Sequence, residues 1–167
     1  MSLIDIDDTE RATHPVDLIE QIANSNDWSF ERSGEDEITV STKGRWADYH
    51  ASFSWMDPFE ALHMAVALDI KVPELRRAEV TKLLALVNER QWMGHFDLWA
   101  EEGVVMFRHV LLFSGGLVPG EAQIEALVAH AVEACEQNYQ AFQFVIWAGK
   151  TAREAMEASL FETVGEA

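Results

Sequence analysis

The sequence predicts an α+β domain: a four-strand antiparallel meander plus a strand pair, packed with helices in the order α-β-β-β-β-α-β-β-α. Three observations carry this. Between Trp28 and Ile70, four runs alternate apolar and polar residues and are separated by short turn-forming stretches. That is the period-two mark of half-buried strands. Two stretches open on a proline, Pro15 and Pro73, and continue at helical spacing, as first-turn prolines do. After Pro119-Gly120, apolar residues keep a helical period from about 121 to 160.

The elements follow in order. Val16, Ile19, Ile22 and Ala23 give a short amphipathic helix over Pro15–Ser25, capped by Thr13 or His14 and ended by Asn24-Ser25-Asn26-Asp27. Trp28, Phe30 and Arg32 form the first alternating run, and Ser33-Gly34-Glu35-Asp36 turns the chain. Ile38, Val40 and Thr42 form the second. In the third, Tyr49, Ala51, Phe53 and Trp55 share one face, with His50, Ser52 and Ser54 on the other. Asp57-Pro58 is a turn, and Leu62, Met64, Val66, Leu68 and Ile70 mark the fourth run. Leu75, Ala78, Val80, Leu83, Leu84 and Val87 form the stripe of a helix from Pro73 to about Gln91. His95–Ala100 and Val104–Phe113 are the strand pair, around Glu101-Glu102-Gly103. The final helical pattern would span ~60 Å if unbroken. That exceeds a small domain, so a bend or break near Gly149, or a protruding end, is expected.

Composition narrows the function. The chain has 167 residues, 49% hydrophobic and 25% charged, which suits one globular domain with its own core. Residues 1–12 are polar and acidic and are expected to be a disordered tail, leaving a single domain over 13–162. The net charge of −17 opposes binding to nucleic acid or to anionic membrane surfaces, both of which require clustered Lys and Arg. No apolar run approaches the ~20 residues of a membrane span. A single cysteine, Cys135, and an opening MSLIDIDDTE without a secretory pattern point to a reducing, cytoplasmic location.

Chemistry is harder to find. The six histidines include no HxxxH pair on a helix, and Cys135 has no CxxC partner, so no metal and no cofactor is expected. There is no GxSxG elbow, and Cys135 lies in an apolar stripe where a thiol is inert. Ser114-Gly115-Gly116 lacks the Gly-Lys-Ser/Thr ending of a phosphate loop. Centring a tight hairpin on Asp57-Pro58 pairs Trp55 with Glu60, Phe53 with Leu62 and His50 with Ala65. His50 is then one diagonal step from His63. His50, His63 and Trp55 are therefore a candidate ligand pocket. Taking Glu102-Gly103 as a two-residue turn pairs Asp97 with Arg108 and Trp99 with Met106, and puts His95 and His109 on opposite faces. The band Phe142–Trp147 is apolar nearly all round its helix. It is either covered on several sides or exposed to a partner, and Phe142, Ile146 and Trp147 are the candidate interface residues.

The residues Trp28-Ser29-Phe30-Glu31, Phe53-Ser54-Trp55, Asn88-Glu89-Arg90, Gly94-His95-Phe96 and Val104-Val105-Met106-Phe107-Arg108 resemble the YbjN family of small bacterial proteins over about Pro15–Ala158. The resemblance implies a fold like the type III secretion chaperones, which are acidic, cytosolic, dimeric holders of partner polypeptides. It also implies a role in sensory transduction or stress regulation, and it carries no catalytic residue to any position. The expected function is a non-enzymatic, homodimeric, protein-binding regulator or chaperone-like adaptor. The alternative is a small-molecule ligand-sensing domain with a pocket between sheet and helices.

Overall fold

A computed structural model describes the backbone of residues 11–165 and the side chains as far as Phe161. The elements are α1 (Pro15–Ser25), β1 (Ser29–Arg32), β2 (Glu37–Lys43), β3 (Asp48–Met56), β4 (Ala61–Lys71), α2 (Arg77–Asn88), β5 (His95–Trp99), β6 (Val104–Leu112), α3 (Glu121–Ile146) and α4 (Ala152–Gly165). Short 3₁₀ turns at Asp57–Phe59 and Glu74–Arg76 lead into β4 and α2. Residues 1–10 of the expected acidic tail lie outside the described residues. Arg11, at its end, is pinned: its guanidinium donates to the Leu117 and Phe113 carbonyls at 2.9 and 2.6 Å.

The strands form one six-stranded sheet in the order β1-β2-β3-β4-β6-β5, all neighbours antiparallel. The architecture is α+β, as the alternation and the proline-led helices predict. The faces are also as predicted. Val40, Phe53, Leu62, Met64, Val66 and Phe107 are buried on the helical side. His50, Ser52, Ser54 and His63 lie on the other, which no described helix covers. α1 packs on β1–β3, α3 crosses β3, β4 and β6, and α2 packs on β5. α4 adds to α2 and α3 from outside the sheet.

Both expected hairpin registers are displaced by two residues. Trp55 faces Leu62, Phe53 faces Met64 and Ser54 faces His63. Asp97 faces Met106 and Trp99 faces Val104. The cause is loop length. Asp57–Phe59 winds as a 3₁₀ turn and Glu60 takes a left-handed φ of 47°, so four residues connect β3 to β4 where two were expected. Ala100–Gly103 likewise leaves four residues between β5 and β6. A displacement by two preserves the face of every side chain, which is why the faces hold while the pairs do not.

The long helical pattern is interrupted as anticipated. α3 ends at Ile146, and Gly149 adopts a φ of +68°, a conformation that costs an L-residue a Cβ clash. Arg76 holds the corner by donating to the carbonyls of Val145 and Lys150 at 2.8 and 2.7 Å. Glu79 of α2 accepts the Ala152 N–H at 3.0 Å, seating the start of α4. α2 begins later than expected: Leu75 falls in the preceding 3₁₀ turn and is 92% exposed, whereas Val80, Leu83 and Val87 are buried.

Candidate functional site

The structure separates the three expected interface residues. Phe142 is fully buried, its ring 5.6 Å from that of Phe96, and Ile146 is buried beside it. Both serve the core and are unavailable to a partner, which corrects the expectation for them. The physical reason is that α3 has the sheet on one side and α2 and α4 on others, so an apolar band all round it is covered by its own chain. Trp147, the residue that caps α3, is 64% exposed.

The expected pocket of His50, His63 and Trp55 does not form. Trp55 is buried on the helical face, where its Nε1–H donates to Asp57 at 3.2 Å and the Arg11 guanidinium lies 4.7 Å from its ring. The two histidines lie on the opposite face. His50 Nδ1 meets the Ser41 hydroxyl at 2.7 Å. His63 stands opposite Ser54, four residues along β3 from His50. Its Nε2 is buried without a hydrogen-bond partner among the described residues. Burial, Arg108 and His95 together hold its pKa below the ordinary value, so it is neutral at neutral pH. His95 and His109 fall on opposite faces, since a two-residue displacement leaves parity unchanged.

Two surfaces remain. The first is one end of the sheet. Here Glu60 accepts from Arg11 at 2.8 Å and from the Gly115 and Gly116 N–H groups. These hydrogen bonds to its charged form hold the Glu60 carboxyl below the usual carboxylate range. They bind the β3–β4 turn to the loop after β6. On this braced frame Phe59, Val110, Leu112, Leu117 and Val118 are all exposed, with Phe59 and Leu112 each at 69%. Single exposed apolar residues are ordinary, but five on two connected loops and a strand end make this end of the sheet a candidate contact surface.

The second surface is a cleft of about 430 Å³ between the residues after α2, the middle of α3 and the face of α4. Trp92, Met93, His130, Asn138, Met156 and Leu160 line it. The Trp92 ring meets the His130 ring edge-on at 4.7 Å.

Neither surface carries a catalytic constellation. Among the described residues, no group of three or more His, Cys, Asp or Glu is arranged to hold a metal ion. Cys135 is fully buried and its thiol is pushed up to about 12, the opposite of an activated nucleophile. Sequence reasoning missed Arg11, Glu60 and Trp92. Nothing local marks them, because each acts through residues distant in the chain.

Asn88 was visible as part of a motif, and the structure explains it. Its side chain accepts the Phe96 N–H at 2.7 Å and donates to the Phe96 carbonyl at 2.9 Å. It thus stands in for a neighbouring strand along the outer edge of β5. Gly94, with φ +69°, lets the chain enter β5 where a Cβ would strike the Phe107 ring.

No curated protein sequence matches the chain. The crystal structure of YbjN from E. coli is similar, at 12% identity and a TM-score of 0.53, over 78% of this chain and 87% of that one. The ExsC–ExsE complex shows a looser likeness, at 12% identity and a TM-score of 0.45, over 74% of this chain and 92% of that one. Residues 15–144 match the YbjN family, described as "Putative bacterial sensory transduction regulator". That match runs from the start of α1 into the last turn of α3 and leaves α4 outside it. Covering most of the sequence, it places this chain in the YbjN family.

Proposed function

We infer that the protein is a non-enzymatic, cytoplasmic, protein-binding regulator: a chaperone-like adaptor that holds a partner polypeptide in sensory or stress signalling. The family description supports the regulatory half of this reading. The observation that carries the binding half is the braced apolar surface of Phe59, Val110, Leu112, Leu117 and Val118. A net charge of −17 keeps so apolar a surface soluble and turns away acidic partners, nucleic acid among them. Among the described residues no helix is long and apolar enough to cross a membrane. The reading includes a homodimer, and its contact is assigned to Trp147, the exposed member of the expected trio.

The test is native mass spectrometry of gently purified protein beside the variant Leu112→Asp/Leu117→Asp. The reading expects a retained polypeptide that the variant loses at unchanged thermal stability. Equal retention by both proteins, or none by either, would sink it. Trp147→Glu is expected to convert dimer to monomer.

A second reading, a ligand-sensing domain, is favoured by the cleft beside Trp92 and His130. In the same spectra it expects a small added mass that Trp92→Ala removes.

A further inference from the structure

The two halves of β6 have different surroundings. β4 pairs with it as far as Leu112, but β5 stops at His95, opposite Arg108. Among the described residues, His109–Leu112 therefore have a strand neighbour on one side and a bare edge on the other. The phase of the ladder shows what that edge offers. Phe113 N–H donates to the Glu60 carbonyl, on the β4 side, at 2.7 Å. Alternate residues of an antiparallel strand bond to alternate sides. Leu111 and His109 therefore face β4, while Val110 and Leu112 aim their N–H and C=O groups outward. The β5 end agrees: Phe96 turns its backbone groups to Asn88, away from β6, so the bonds between β5 and β6 fall at Arg108, Met106 and Val104.

The other edges of the sheet are guarded. Asn88 occupies the middle of β5, and β1 is four residues long and carries Glu31 and Arg32. His109–Leu112 has no lysine, proline or bulge, the usual protections of an exposed edge. The two outward residues, Val110 and Leu112, carry apolar side chains that are exposed on the open face, where His63 pairs with Val110.

We propose that this edge is a strand-addition site for an extended, net-positive segment of a partner polypeptide with apolar residues at alternate positions. The proposal rests on the protein-binding reading and gives it a surface and a partner chemistry. Two outward residues offer two N–H and two C=O groups, a main-chain affinity that the apolar side chains make selective. Alternate residues of an added strand lie beside Val110 and Leu112 at cross-strand contact distance. Charge selects the sign. The cations near this edge are already paired, Arg11 with Glu60 and Arg108 with Asp97, so an acidic segment finds no free partner there. The field of the whole chain favours a basic one.

The test is amide hydrogen exchange on the intact protein with a nine-residue peptide alternating lysine and valine. The Val110 and Leu112 amides should exchange freely alone and slow by at least about tenfold with saturating peptide, as local opening gives way to a bonded strand. The same peptide N-methylated at every second residue should have no effect, and an alternating glutamate–valine peptide should protect far less. Val110→Lys/Leu112→Lys, and separately Leu112→Pro, which removes an outward N–H, should abolish the protection at an unchanged unfolding midpoint.

Slow exchange of both amides in the free protein would overturn the proposal, because this chain or a second copy would already occupy the edge. Dependence on protein concentration separates those two cases. Peptide binding without protection at Val110 and Leu112 would also overturn it while leaving the protein-binding reading standing. Equal protection by the glutamate peptide would overturn the charge preference. Absence of any binding would overturn the site, whereas the retained polypeptide judges the wider reading separately.

Discussion

Replacing Asn88 tests whether the most recognisable motif of this chain acts on the sheet rather than on a ligand. The side chain satisfies two backbone groups of Phe96, a residue only 1% exposed, at 2.7 and 2.9 Å. Asn88→Ala leaves both without a partner. A buried polar group stranded in this way costs about 1–3 kcal/mol, and limited access of water to the strand edge brings the pair to about 2–4 kcal/mol together. At this chain length each kcal/mol corresponds to about 2–4 °C, so the melting temperature should fall by about 5–15 °C. Asn88→Asp is the sharper variant. Its carboxylate can still accept the Phe96 N–H, but it cannot donate to the carbonyl and sets negative charge against it. It should therefore also destabilise, although the side chains are nearly the same size. Urea unfolding is the assay, with a lowered midpoint at unchanged slope as the expected result. If Asn88→Ala stayed within about 0.5 kcal/mol of the parent, the ordinary range for surface substitutions, Asn88 would not be clamping the edge of β5.

Three further outcomes follow from the structure. Phe142→Ala should cost about 3–5 kcal/mol as a cavity mutation in the core, while Trp147→Ala stays within about 0.5 kcal/mol of the parent when both are diluted to monomers; equal costs in chemical denaturation there would contradict the burial difference between these near neighbours. Glu60 has a carboxyl lowered from its ordinary value of 4.5, so its stabilisation is fully present above that value and is lost as the pH falls through the lowered one. The melting-temperature gap between parent and Glu60→Gln should therefore be open at pH 7 and close in acid, and a gap independent of pH would count against the Arg11 pairing. Gly149→Ala should destabilise by about 1 kcal/mol through its positive φ alone, since a Cβ there meets nothing within 4 Å; calorimetry would show whether the corner between α3 and α4 needs glycine.

Much of this protein was legible along the chain. The alternation of β1–β4 and the proline-led starts of the first two helical regions are local properties, set by side-chain periodicity and by the backbone limits of proline. They placed Pro15–Ser25 and Glu121 at their observed helix ends and assigned His50, Ser52 and His63 to one face. The break near Gly149 was legible for the same reason, as a residue type suited to positive φ inside a pattern too long for the domain. The family resemblance was legible too, because the Asn88–Phe96 block is contiguous in sequence.

Other features were decided only by the tertiary structure, because they depend on which distant residues meet. Whether two or four residues make a turn is settled by the packing around it, and that displaced both hairpins. Helical periodicity identifies Phe142 and Trp147 as apolar but cannot say how many sides of α3 are covered; packing that includes Phe96 of β5 buries one and the end of the helix exposes the other. Arg11 finds Glu60 and Phe113 across 49 and 102 positions of chain. The insertion of β6 between β4 and β5, and with it the bare edge at Val110 and Leu112, belongs to strand order. Periodicity of two tells a strand which face is inward, but it holds no information about which strand lies beside it. That choice is made by the long-range burial of the whole core.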